Sequence, residues 1–212
     1  MATRQLIYDN QSAATMNRFA TAVIILLGLG DIASAAPAQT PGSVSLTATL
    51  GEIHGKKSAK HWTVVWVTSA TGGAFVRTIR RQGPGYRSHW GKHCGAWYTA
   101  VADNEANAAV APDGFTSATS NTYAAPDNPF TQTWDCKDAD GKVIPDGTYK
   151  LWIQYSGDSK TQGPVTTEGL IWTKGPSPST VKPADQGTNF TGMSIVWKPG
   201  ATEPVPATDA KH

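Results

Sequence analysis

The sequence contains few charged residues and no block of basic ones. Asp, Glu, Lys and Arg make up 16% of the 212 residues, well below the roughly 25% typical of soluble domains. The formal net charge is only +2, and the Lys and Arg residues are scattered along the chain. Because nucleic-acid binding depends on concentrated positive charge, we expect no nucleic acid partner.

The short motifs of common enzyme classes are also missing. The chain has no G-x-S-x-G nucleophile elbow, no H-E-x-x-H zinc motif and no phosphate-binding Walker loop. It has no C-x-x-C-H either, which excludes c-type haem. Since no convincing catalytic constellation is present, we expect that the protein is not an enzyme by itself.

No apolar run of the sequence is long enough to span a bilayer comfortably. The clearest one, residues 19–30, follows Arg18 and precedes the small residues 33–36. This order of basic, apolar and small residues is typical of a secretory signal peptide. We therefore predict an N-terminal extension and signal peptide over residues 1–36, cleavage after Ala35 or Ala36, and a periplasmic or secreted protein that does not itself span the membrane.

Cysteine is scarce, with Cys94 and Cys136 as its two positions. In an oxidising compartment two cysteines most often pair. A bridge between them would close a loop of about 42 residues and stabilise the fold by roughly 4 kcal/mol on chain-entropy grounds. The sequence therefore predicts a disulfide between Cys94 and Cys136.

Glycine and proline are plentiful, and they separate short stretches with the pattern of strands. Residues 43–50 alternate strictly between polar and apolar, which is typical of a half-buried strand. Residues 62–68 are apolar on both faces and predict a central strand. The turn 71–73 then leads into 74–80, which predicts a hairpin partner.

The second half of the chain continues this pattern. Strands are predicted at 130–135, 148–155, 169–173 and 192–197, with tight turns at 138–142 and 145–147. Between the two groups, residues 86–109 are the least strand-like, and Trp90, His93 and Trp97 share a helical face there. A long polar loop over 111–129 follows.

These patterns predict an all-β protein. We expect an immunoglobulin-like antiparallel β-sandwich of seven or eight strands, with a short helical insert and a long loop. Its domain extends over residues 43–199, after a linker at 37–42 and before a Pro- and Ala-rich, disordered tail at 200–212. Most tryptophans fall in the predicted strands and are expected to pack in the core, whereas outward-facing ones would stack on a flavin or a sugar.

Segment 113–119 of the long loop reads DGFTSAT. Its spacing resembles the acceptor motif on which flavin transferases place FMN, with the phosphate joined to the final threonine. The resemblance implies that Thr119 carries FMN covalently, and that Asp113, Thr116 and Ala118 help the transferase to recognise or position that threonine. The alternative is a surface turn in which Asp113 accepts hydrogen bonds from nearby backbone N–H groups.

Three blocks of the chain carry a wider resemblance. The first holds Trp66 and the hairpin through 75–78, the second holds Trp97 and segment 113–119, and the third extends over residues 133–149. In this order they are similar to a periplasmic family described as domain of unknown function 2271. The resemblance implies an exported sandwich domain whose partners are a flavin transferase and a PepSY-type membrane protein, without a known reaction.

One further pattern concerns metals. His89 and His93 stand four residues apart next to Cys94, which on a helix is metal-ligand spacing. The alternative is a pair of surface imidazoles beside a bridged cysteine. The sequence thus leaves three alternative hypotheses for the function. The first is an exported electron-transfer or redox-accessory domain with FMN on Thr119, the second is a non-redox binding or adaptor module, and the third is a metal-handling protein.

Overall fold

The chain divides into two compact units, residues 1–35 and 36–212. The computed structural model describes residues 36–52, 61–83, 87–101, 128–157 and 162–200, all within the second unit; for residues 87–89 it describes the backbone only.

The described residues form two four-stranded antiparallel sheets and two short helices. In chain order the elements are β1 (Gly42–Leu50), β2 (Trp62–Ser69), β3 (Phe75–Gln82), α1 (Arg87–His93), α2 (Gly95–Ala100), β4 (Phe130–Trp134), β5 (Gly147–Ser156), β6 (Leu170–Lys174), β7 (Ser179–Val181) and β8 (Phe190–Pro199). The front sheet has the order β3-β2-β5-β6, and the back sheet has the order β4-β1-β8-β7. The predicted antiparallel β-sandwich is confirmed.

Alternation explains the strands that line the sandwich core. In β1, the apolar residues at every second position from Val44 to Leu50 are buried, while their neighbours are more exposed. In β5, Tyr149, Leu151, Ile153 and Tyr155 point into the same core. Each fully buried side chain of this size contributes about 1.5–3 kcal/mol, so the polar–apolar pattern fixes which face of each strand turns inward.

Strand β2 is buried on both faces, as its continuous apolar pattern predicts. It lies in the front sheet between β3 and β5. Its residues Val65 and Val67 belong to the sandwich core, whereas Trp62, Val64 and Trp66 belong to a second apolar cluster on the outer face. A central strand needs apolar residues on both sides only where a second layer covers it, and here the helices form that layer.

Helices α1 and α2 attach to the front sheet through aromatic residues. Trp90 and Trp97 are both buried and meet edge to face, with ring centroids 5.4 Å apart. The indole N–H of Trp97 donates to Oγ1 of Thr78 at 2.8 Å, and its backbone N–H donates to Oε1 of Gln154 at 3.2 Å. Strands β3 and β5 therefore both hold α2, and the predicted shared face of Trp90, His93 and Trp97 lies on the sheet.

The pairing of the strands matches that in the central part of the immunoglobulin fold. Strand β1 pairs with β4, β2 pairs with β3 and β5, and β5 pairs with β6. These pairings correspond to the B–E, C–C′, C–F and F–G pairs of immunoglobulin domains. Strand β8 lies beside β1 in the position of strand A, so the C-terminal end of the domain supplies the strand that the N-terminal end supplies in immunoglobulins.

A second immunoglobulin feature occurs at the start of β5. The hydroxyl of Tyr149 donates to the carbonyl oxygen of Pro145 at 2.6 Å. This contact reproduces the tyrosine corner, in which a tyrosine early in strand F bonds backbone a few residues upstream. It holds the turn between β4 and β5 against the end of the sandwich.

The predicted disulfide is wrong. Cys94 lies in the outer cluster beneath the helices, and Cys136 lies in the core between the sheets. Both cysteines are free and fully buried. The front sheet separates them, whereas a bridge requires Cα atoms within about 7 Å. Sequence alone does not indicate on which face of the sheet a buried cysteine lies.

Candidate functional site

The residues of the acceptor-like motif lie outside the described part of the chain. Asp113, Thr116, Ala118 and Thr119 all fall in residues 102–127. The structure does describe the two points at which this segment is attached to the domain. They are Val101, at the end of α2, and Asn128, just before β4.

Both attachment points are held by specific contacts. The backbone N–H of Val101 donates to the carbonyl oxygen of Trp97 at 3.0 Å, and the Val101 side chain is buried in the outer cluster. The side chain of Asn128 bonds the backbone of Leu50 twice, accepting from N–H at 3.2 Å and donating to C=O at 3.1 Å. The intervening segment is thus anchored at one end on the helical layer and at the other on the back sheet.

A pocket of about 300 Å³ opens on the outer face of the front sheet, beside α2. We call it the indole slot. It is lined by Trp66, Thr68, Gly73, Ala96, Ala100, Lys150 and Trp152. Ala100 is the last residue of α2, so the slot lies where the chain leaves the helical layer and enters the segment that contains Thr119.

Two parallel indoles form one side of the indole slot. Trp66 and Trp152 stand directly opposite each other on β2 and β5. Their ring centroids are 5.7 Å apart with an angle of 7° between the planes. The indole N–H of Trp152 donates to Oγ1 of Thr68 at 3.0 Å, which fixes the orientation of a ring that is only half-buried.

Gly169, just before β6, fixes Trp152 further. Its φ is +72°, and a Cβ built at this position would lie 2.9 Å from Cε2 of the Trp152 ring. Any larger residue would collide with the indole and would also be strained in this backbone conformation. Glycine therefore allows the backbone to approach Trp152 closely.

Small residues leave the slot open. Ala96 and Ala100 are four residues apart on α2 and therefore share one helical face, while Gly73 comes from the β2–β3 turn. Apart from the indole N–H groups, the polar side-chain atoms of the lining belong to Thr68 and Lys150. A flat, largely apolar ring system with one polar edge fits these residues, since ligand pockets combine apolar walls with a few placed polar groups.

His93, the member of the predicted metal pair whose side chain is described, packs against β2 and β5. The ring of His93 stacks on Trp62 with centroids 3.7 Å apart, and its Nδ1 lies 3.5 Å from Oγ of Ser156. Burial raises the pKa of the Cys94 thiol far above its ordinary value, so the thiolate that a metal requires is disfavoured there. The side chain of His89 lies outside the described residues. Among the described residues, no three His, Cys, Asp or Glu side chains converge to hold a metal ion.

A buried ion pair lies at the C-terminal end of β6, away from Gly169. The ammonium of Lys174 is fully buried and lies 2.7 Å from Oδ1 of Asp146. Thr40 also donates to this carboxylate, from its backbone N–H at 2.8 Å and its hydroxyl at 2.7 Å. Desolvation raises the pKa of Asp146, but the hydrogen bonds from Lys174 and Thr40 outweigh it, and the net pKa is below the ordinary value. The pair connects the segment before β1 to the β4–β5 turn and β6.

Sequence reasoning assigned Trp66 and Trp152 to packing and missed the indole slot. One signal was available in the alternation of β5. Tyr149, Leu151 and Ile153 point to the core, so Trp152 faces outward with Lys150 and Gln154. A tryptophan on the polar face of a strand indicates either a covering layer or a ligand.

Comparison with protein-family models, with curated proteins and with solved structures finds no match. The resemblance to the family described as domain of unknown function 2271 stays an expectation from the three sequence blocks. Neither α1, with seven residues, nor α2, with six, has the length to cross a membrane, and no other helix occurs among the described residues.

Proposed function

We propose that the protein is an exported electron-transfer or redox-accessory domain that carries FMN esterified to Thr119. The observation that supports this function best is the indole slot. It offers aromatic stacking and a cation at the end of α2, where the chain enters the segment containing Thr119. The protein would not be an enzyme alone, and it would exchange electrons with a PepSY-type membrane protein by docking.

Attachment of the flavin is a phosphoryl-type transfer performed by a separate flavin transferase. The Thr119 oxygen forms a new P–O bond to the flavin phosphate of a flavin dinucleotide. The pyrophosphate bond breaks, AMP leaves, and the threonine proton passes to a base of the transferase. A covalent flavin suits an exported protein because it cannot diffuse away, and it supplies reversible one- and two-electron transfer. The residues of this chain would bind the ring and shield it from water.

The test uses the full chain co-expressed with a flavin transferase. We expect the mass of the exported protein to increase by one esterified FMN, and the denatured gel band to fluoresce. Thr119→Ala should abolish both signals, whereas Thr167→Ala, at an exposed threonine elsewhere, should leave both unchanged. An unchanged mass of the wild-type protein, in the presence of a transferase that modifies a known acceptor, would overturn the proposal.

The indole slot also favours a second candidate function, a non-redox binding module. Its lining consists entirely of described residues and does not depend on Thr119. A small aromatic ligand retained in native mass spectra of the Thr119→Ala protein, and equally in unmodified wild type, would favour this alternative over the electron carrier.

A further inference from the structure

We infer that the indole slot binds the isoalloxazine ring of the flavin, with Trp152 as the stacking surface and Lys150 at the polar edge of the ring. This inference rests on the proposed function, which supplies the flavin. It adds a location for the ring on the folded domain, in a pocket formed by described residues alone.

The first argument is the rigidity of Trp152. A half-buried tryptophan that merely covers the sheet needs no fixed rotamer. Trp152 nevertheless has three independent constraints, namely the parallel stack on Trp66, the hydrogen bond to Thr68 and the close approach of Gly169. A stacking surface fixed before the ligand arrives loses little entropy on binding, so these constraints suit a ligand-binding aromatic ring.

The second argument is the chemistry of the lining. A sugar presents hydroxyl groups in several directions, and each buried hydroxyl needs a partner. The slot offers the side chains of Thr68 and Lys150, and the Thr68 oxygen already accepts from Trp152. Ala96 and Ala100 contribute only methyl groups to the lining. This lining therefore favours a planar heteroaromatic ring over a carbohydrate.

The third argument is size. At about 300 Å³, the slot is at the lower end of the range of small-molecule pockets, roughly 300–1,000 Å³. It suits a fused ring system rather than a complete flavin mononucleotide. The ribityl phosphate would remain outside the slot, which is what attachment to a residue outside the lining requires.

The first experiment uses the flavin-loaded protein and fills the slot. Ala100→Leu adds three carbon atoms inside the slot, and Ala139→Leu adds the same atoms at an exposed turn position. An indole stacked on an isoalloxazine quenches its fluorescence. We expect loaded wild type and Ala139→Leu to emit several-fold less than free FMN, and Ala100→Leu to recover most of that emission at equal flavin content by mass.

The second experiment does not depend on covalent loading. FMN is titrated into the Thr119→Ala protein to about 1 mM, the effective concentration that a short tether provides. The readout is the NMR signal of the Trp152 indole N–H, assigned with Trp152→Phe. We expect this signal to shift in a saturable way, and the shift to fall at least tenfold at equal FMN when Ala100→Leu is added.

The outcomes separate the two proposals. If the protein is flavinylated but Ala100→Leu changes neither the emission nor the FMN titration, the ring binds elsewhere and the inference is overturned, while the proposed function stands. If no flavin is attached but the Trp152 signal shifts with FMN, the slot is a flavin site and the role of Thr119 is overturned. Absence of both flavin attachment and FMN binding overturns both proposals.

Discussion

At the scale of single residues, Lys150 and Lys174 show how position decides the role of a cation. Lys150 lies on the outward face of β5 at the edge of the indole slot and is half-buried. Lys174 points inward, is fully buried and pairs with Asp146. The first lines a pocket, and the second pairs with a carboxylate inside the fold, although the two residues are chemically identical.

Replacing Lys150 tests the proposed contact of its ammonium with the flavin. A positive charge beside the ring favours the electron-rich reduced form. For a partly solvated charge the effect is about 0.2–1 kcal/mol, which corresponds to roughly 5–20 mV for a two-electron couple. We expect Lys150→Met to lower the midpoint potential of the loaded protein by that amount, and Lys150→Arg to leave it close to wild type, as measured by redox titration. Equal potentials in all three proteins would place the cation away from the ring.

Replacing Asp146 tests the buried ion pair. Asp146→Asn leaves the buried ammonium of Lys174 without its counter-charge, and losing one partner of a buried pair costs about 3–5 kcal/mol. The Asp146 side chain keeps 16% of its surface exposed, so we expect a loss at the lower end of this range. Urea unfolding should show a free energy of unfolding about 3 kcal/mol below that of wild type. Asp140→Asn, in an exposed turn, should change the free energy of unfolding little. Adding Lys174→Met to Asp146→Asn should restore part of the loss, since the uncompensated charge is then removed.

The same pair predicts a dependence of stability on acid. The folded pKa of Asp146 is below its ordinary value, which is about 3.9, so the carboxylate contributes stability that is fully present above that value. This contribution is lost as pH falls below about 4 and through the folded pKa. Unfolding followed at pH 6 and below pH 4 should show a smaller acid-induced loss in Asp146→Asn than in wild type. Equal losses in both proteins would contradict this assignment.

At the scale of elements, the start of β5 depends on a single hydrogen bond as well as on packing. Tyr149 bonds Pro145 through its hydroxyl while its ring packs against Trp172, with centroids 5.7 Å apart. Desolvation raises the pKa of the Tyr149 hydroxyl, so it remains a protonated donor at neutral pH. The ring therefore secures the core and the hydroxyl secures the turn.

Tyr149→Phe separates these two contributions. The substitution keeps the ring and removes the hydroxyl, and a hydrogen bond of this kind contributes about 1 kcal/mol net. We expect the urea midpoint to fall by an amount equivalent to about 1 kcal/mol, with an unchanged slope, because the surface exposed on unfolding stays the same. A loss above about 3 kcal/mol would instead show that the phenylalanine ring no longer packs against Trp172.

At the scale of the whole molecule, the two layers on either face of the front sheet keep the cysteines apart. Burial raises the pKa of the Cys136 thiol to about 12 and that of Cys94 further still. The reactive species is the thiolate. Both thiols are therefore protected in the folded protein by low ionisation and by lack of access.

Thiol chemistry tests this arrangement. At pH 8, iodoacetamide should leave the folded protein unmodified and should add two groups once the protein is unfolded without reductant, as read by mass spectrometry. A reducing agent should not change the melting temperature. The changes in unfolding free energy caused by Cys94→Ala and Cys136→Ala should add in the double variant, since the two residues lie in separate clusters. If labelling of the unfolded protein required a reductant, Cys94 and Cys136 would be joined by a disulfide after all.

The sequence predicted the elements that carry a strong local pattern. Alternation in β1 and β5, and the doubly apolar β2, follow from the two-residue period of a strand and the gain from burying apolar surface. Strand β7, with three residues, is too short for such a pattern and was not predicted. Its pairing with β8 exists only in the assembled sheet.

The sequence by itself determined the fold class, because periodicity and turn residues act over a few neighbouring positions. The tertiary structure decided the features that depend on distant segments. It placed β8 beside β1, put Cys94 and Cys136 on opposite faces of a sheet, and formed the indole slot from β2, β5, α2 and the β2–β3 turn. Such contacts depend on which faces meet after chain folding, and no short-range pattern records that choice.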